Sequence, residues 1–111
     1  MNGPANVAGL RERERRAERI GAAVTALPDV AGLSAGPRAQ VVTYRVGAPY
    51  TGVAVRDGEI EVGVVARRGR PLPQVADAVR GAVLPLADGL PVNVLIADIQ
   101  DDASSGGSEG S

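Results

Sequence analysis

The stretch Gly52-Val53-Ala54-Val55-Arg56-Asp57-Gly58-Glu59-Ile60-Glu61-Val62-Gly63-Val64-Val65-Ala66 decides the fold. Two runs rich in β-branched residues flank Asp57-Gly58, a dipeptide that supplies the positive φ of a two-residue type I′ turn. The reading is a β-hairpin in which Arg56 faces Glu59, Val55 faces Ile60 and Val53 faces Val62. That register places Val53, Val55, Ile60, Val62 and Val64 on one face, whereas a slip of one residue would carry Glu59 and Glu61 into the core.

Toward the N-terminus, Leu10, Ala17, Ile20, Val24 and Leu27 recur at spacings of three, four and seven, the stripe of an amphipathic helix that Pro28 and Asp29 stop. The mixed run Arg11 to Arg19 gives pairs such as Glu12 with Arg16 on its solvated side. Short extended pieces, Val30 to Leu33 and Gln40 to Val46, follow around the breaker cluster Ser34-Ala35-Gly36-Pro37.

Toward the C-terminus, Pro73 fits the first position of a second helix. Its buried stripe is Leu72, Val75, Ala76, Val79, Val83 and Leu86, with Asp77 and Arg80 facing water and Pro85 ending it early. Leu90 to Gln100 then alternates apolar residues on both faces and is expected to be a central strand, reached by a crossover from the hairpin. The fold class is α+β: two helices on one face of a small mixed sheet containing a hairpin, in the order α-β-β-β-α-β.

The ends bound this domain to residues 10–100. Residues 1–9 show no periodicity and are expected to be loose. Residues 101–111, an acidic Gly/Ser tail whose only apolar side chain is Ala103, cannot offset the entropy of ordering. A chain of 111 residues with 44% hydrophobic and 23% charged residues fits one globular core. No segment approaches the roughly 20 apolar residues that span a bilayer, and the start does not resemble a signal peptide, so a cytoplasmic location is expected.

Composition closes most chemical menus. Without Cys or His there are no disulfides, no thiolate nucleophile, no imidazole acid/base and no Cys/His zinc site. Without Lys there is no Walker motif, and neither Gly-x-Ser-x-Gly nor a dinucleotide loop occurs. Hence no enzyme activity, cofactor or metal is expected. Glu59 and Glu61 share a strand face and could in principle bind a hard cation, but charges on the open face of a hairpin ordinarily serve solvation. Arg67, Arg68 and Arg70 precede the second helix, whose N-terminal amides favour anions, and form the best candidate contact for a small anion. A net charge of −1, only two aromatics and the lack of Phe and Trp argue against nucleic acid as a partner.

A resemblance emerges from Ile20 to Val24, Leu27-Pro28-Asp29-Val30-Ala31-Gly32-Leu33, Gly52 to Ala66, Pro71-Leu72-Pro73-Gln74-Val75-Ala76, Val79, Val83 and Pro91-Val92-Asn93-Val94 to Ile99. In this order they resemble the alkaline shock protein and Gls-type general stress family of bacterial envelope stress response proteins, in a short variant of the kind found in high-GC actinobacteria. The family's extra N-terminal strand is replaced here by the Arg/Glu run. The resemblance implies no catalytic residues. It implies action near the cell envelope through protein partners, either copies of the chain itself or a membrane-anchored relative.

The expected function is therefore that of a noncatalytic interaction or scaffold protein, with anion or nucleic-acid binding through Arg67, Arg68 and Arg70 as the alternative. Two surfaces are candidate interfaces. One is the sheet face away from the helices, offering Ala54, Gly63, Val65, Leu95 and Ile99; the other is the helix stripe through Leu10, Ala17 and Val24.

Overall fold

The computed structural model of the chain describes residues 3–38, 40–43 and 50–101, with the side chains of residues 3–8 and of Leu10 excepted. The elements are α1 (Gly3–Thr25), β1 (Val30–Leu33), β2 (Val42–Thr43), β3 (Tyr50–Thr51), β4 (Val53–Val55), β5 (Ile60–Arg67), α2 (Leu72–Val83), a 3-10 turn (Leu84–Leu86) and β6 (Val92–Gln100). The α+β class and the packing of both helices against a mixed sheet hold, with α1 over β1 and β4 and α2 over β6.

Helix α1 starts earlier than its apolar stripe. Residues 1–9 were expected to be loose, yet the helix begins at Gly3, and Pro4 falls in the first turn, where a missing N–H breaks no helical bond. Ala17, Ile20 and Val24 are fully buried and Leu27 is half-buried against them. The helix ends at Thr25, whose hydroxyl donates to the Gly21 carbonyl at 2.8 Å.

The hairpin register is the expected one, with Val53 opposite Val62, Ala54 opposite Glu61 and Val55 opposite Ile60. Its turn is not. Neither Asp57 nor Gly58 takes a positive φ. The strand ends are held instead by the Arg56 N–H bonded to the Glu59 carbonyl and by the Arg56–Glu59 ion pair, while Arg13 of α1 holds Asp57. The φ signature of a type I′ turn lies elsewhere, at Asp88 (φ 54°) and Gly89 (φ 84°), closed by the Leu90 N–H to the Ala87 carbonyl.

Strand β5 organises the sheet. Its residues 60–62 pair with β4 and 64–66 with β1, both antiparallel and on the same side, while β6 runs parallel along the other. The two short strands meet end to end at Gly63, whose N–H bonds the Gly52 carbonyl and whose carbonyl accepts the Ser34 N–H. Because β1 and β4 share one side of β5, β6 is an edge strand and not the central strand expected from its two apolar faces. Val30, Val53, Val55, Ile60, Val62, Val64, Ala66 and Val92 form the sheet's share of the core, packed with Val75, Val79 and Val83 of α2.

The described residues between Ser34 and Thr51 form an arm that crosses the far side of the sheet. The expected strand Gln40 to Val46 shrinks to Val42–Thr43 among the described residues, paired with β3; Tyr44 to Val46 lie outside them. Val41 is fully buried and Thr43 is 5% exposed. The Thr43 hydroxyl donates to the Val53 carbonyl (2.7 Å) and accepts the Val55 N–H (3.0 Å), closing the outer side of β4 with a side chain instead of a ladder. Thr43→Val keeps the shape but leaves both backbone groups unpaired. A loss of about 2 kcal/mol in urea unfolding is expected, and an unchanged midpoint would refute this role for the hydroxyl.

Candidate functional site

The structure brings Arg67, Arg68 and Arg70 to one open depression at the C-terminal ends of β5 and β6, lined also by Leu72 at the start of α2 and by Ile99 of β6. Each arginine is held within the fold. Arg67 Nε donates to the Pro28 carbonyl at 3.1 Å, Arg68 Nε lies 3.8 Å from Asp101 Oδ2, and Arg70 Nε lies 2.7 Å from Asp29 Oδ2. The helix N-terminus beside them has no side-chain cap at Pro71. An anion entering here competes with two carboxylates already in place, which weakens its electrostatic gain.

The Glu59 and Glu61 pair is bridged, not poised. Arg56 Nη1 sits 3.1 Å from Glu59 Oε2 and 2.9 Å from Glu61 Oε1, and Asn93 Nδ2 donates to Glu59 Oε1 at 2.7 Å. Among the described residues no group of three acidic, Cys or His side chains is placed to hold a metal ion.

The two candidate interfaces fare differently from expectation. Ala17 is fully buried in the monomer core together with Val24, so this part of the stripe faces the sheet and no partner can reach it; the Leu10 side chain lies outside the described residues. On the far side of the sheet, Ala54 is 1% exposed and Gly63 is buried, because the arm lies over them: the carbonyl of Ser34 and the side chain of Val41 approach Gly63. Leu95 is half-buried with its Cδ2 against Gly36, and Val65 is half-buried between Gly32 and Asp98. Ile99 is not on this face at all. A bulge at Ala97 shifts the register so that Ile99 pairs with Ala66, and its side chain falls on the helix side with Leu72.

What remains open is the free side of β6, which the sequence did not reveal. The Ile60 N–H bonds the Pro91 carbonyl, and the parallel register pairs Ile60 with Val92, Val62 with Val94 and Val64 with Ile96. In a parallel ladder this turns the backbone groups of Val92, Val94 and Ile96 away from β5. The Val92 carbonyl receives Arg80 Nε at 3.3 Å, so Arg80 leans on the edge and does not simply face water as expected. On the side turned away from β5, no described strand pairs with Val94 or Ile96. Large apolar residues are exposed near the strand's end, Leu72 (36%) and Ile99 (37%), and after α2 at Leu84 (51%).

Fold and site together define a small α+β domain with one sheet edge closed by its own arm and the other without a partner strand among the described residues. The chain matches no family model, no curated protein and no solved structure.

Proposed function

We propose that the chain is a noncatalytic assembly module that acts through protein–protein contact at the β6 edge. Its setting is the bacterial envelope stress response that the sequence resembles. The observation that carries this reading is the outward backbone of Val94 and Ile96, polar groups aimed where an added strand would satisfy them. The partners are other copies of the chain or a membrane-anchored relative, which would hold a cytoplasmic protein near the membrane. No helix among the described residues is long and apolar enough to cross a membrane itself, which suits a role through a partner.

A photo-crosslinking residue at Asn93, exposed on β6, tests this in cells. Discrete protein adducts are expected from position 93 and none from a probe at Arg19, exposed on α1. Loss of specificity between the two positions, or no adduct with or without envelope stress, rules the reading out.

The shared depression of Arg67, Arg68 and Arg70 beside an uncapped helix start supports a second reading, an accessory domain for a small anion or nucleic acid. Amide shifts confined to residues 67–74 on titration with phosphate or an oligonucleotide would favour it over assembly.

A further inference from the structure

We infer that the strand received by β6 is the β6 of a second copy, running antiparallel about a two-fold axis at Leu95. This rests on the assembly reading above and names the partner at that edge.

The pattern of charge along the edge selects the partner and its direction. Sheets ordinarily guard an open edge with Lys, Pro or inward charge, and the six residues from Val92 to Ala97 contain none of these. Self-pairing of this stretch therefore sets no like charges against each other. Charge appears only at the two ends. At the start, Arg80, whose Nη1 lies 3.4 Å from Asp77 Oδ1 of the same helix, brings its guanidinium to the edge at the Val92 carbonyl; at the finish stands Asp98, exposed, one oxygen accepting the Ile99 N–H. The edge thus carries a guanidinium, partly offset by Asp77, at residue 92 and a carboxylate at residue 98. A parallel copy would set Arg80 against Arg80, whereas an antiparallel copy sets each positive end against a negative one, twice by symmetry.

Residues 92 and 98 flank Leu95 at opposite ends of the edge, the bulge at Ala97 drawing Asp98 one strand step closer, to a place opposite Val65, and centring the two-fold at Leu95 also satisfies the backbone. Val94 then lies opposite Ile96 of the second copy, and Ile96 opposite its Val94. Both residues have outward N–H and C=O groups, so each pair exchanges two bonds. The bulge at Ala97 ends the straight part of the strand just beyond this ladder.

Sedimentation equilibrium of the full chain, combined with amide exchange, tests the arrangement. The wild type is expected to dimerise, and the amides of Val94 and Ile96 to exchange more slowly as concentration rises. Arg80→Glu and Asp98→Arg should each weaken the dimer at least about tenfold, and the double variant should return to within about threefold of wild type. Circular dichroism of the single variants separates lost assembly from lost folding. A wild type that stays monomeric to about 1 mM, exchange that ignores concentration, or a double variant no better than the singles overturns the inference. If the wild type is monomeric while position 93 still crosslinks a different protein, the second copy is excluded and the assembly reading stands.

Discussion

Ile60→Ala is expected to lower the free energy of unfolding by about 3 kcal/mol, while Glu61→Ala beside it should lower it by about 1 kcal/mol or less. Ile60 is fully buried, and its cross-strand neighbours are Val55 on one side and Val92 on the other, so truncation opens a cavity at the junction of three strands. The arm and the helices are already committed to other contacts and cannot collapse into that space. Glu61 points to the opposite side of the same strand, 22% exposed and paired with Arg56, where a partly exposed ion pair contributes about 1 kcal/mol or less. Urea unfolding of both variants reads the difference directly. Equal losses would mean that the hairpin register is off by one residue, since a one-residue slip exchanges the two environments.

The parts of this fold that were legible in the sequence are those set by local periodicity. The alternation of Val53, Val55, Ile60, Val62 and Val64 fixed which residues enter the core, and the structure buries all five. The spacing of Val75, Val79 and Val83 did the same for α2, whereas Leu72, expected on the same buried stripe, is 36% exposed at the helix start. What periodicity could not supply was the neighbour of each strand. The two apolar faces of β6 are equally consistent with a central strand and with an edge strand beneath a helix. Only the end-to-end placement of β1 and β4 on one side of β5 decides between them, and that depends on the β1–β5 pairing, whose partners, such as Leu33 and Val64, are far apart in the chain. The turn was misplaced for a related reason: Asp57-Gly58 and Asp88-Gly89 are the same dipeptide, and tertiary contacts determine which one adopts positive φ. Of the site, the arginine loop was visible as a charge run, yet its partners Asp29 and Asp101 come from distant segments. Leu95 and Ala17 were candidate interface residues; Gly36 of the arm lies against the first, and the core takes the second.

Gly63→Ala should be as damaging as the loss of Ile60, although it adds only one methyl group. Gly63 sits where β4 and β1 meet beneath the arm. A Cβ there would stand 2.1 Å from the Ser34 carbonyl oxygen and 3.6 Å from Val41 Cγ2. The first of these is backbone, and it belongs to the residue whose N–H is bonded to the Gly63 carbonyl. Relief therefore requires the junction of β1 and the arm to move as a unit and lengthens the bonds on both sides of residue 63. Overpacking with a backbone shift of this kind costs about 3 kcal/mol. Gly52→Ala should follow the same course, because Gly52 has φ 96° and its Cβ would lie 2.5 Å from Leu33 Cβ. Gly81→Ala provides the contrast: nothing lies within 4 Å of an added Cβ there, and alanine in mid-helix should stabilise the chain by about 0.5–1 kcal/mol. Thermal and urea unfolding of the three variants should thus split by sign. A Gly63→Ala protein as stable as wild type would mean that the arm does not lie on the sheet at Gly63, and the far face of the sheet would again be open to a partner.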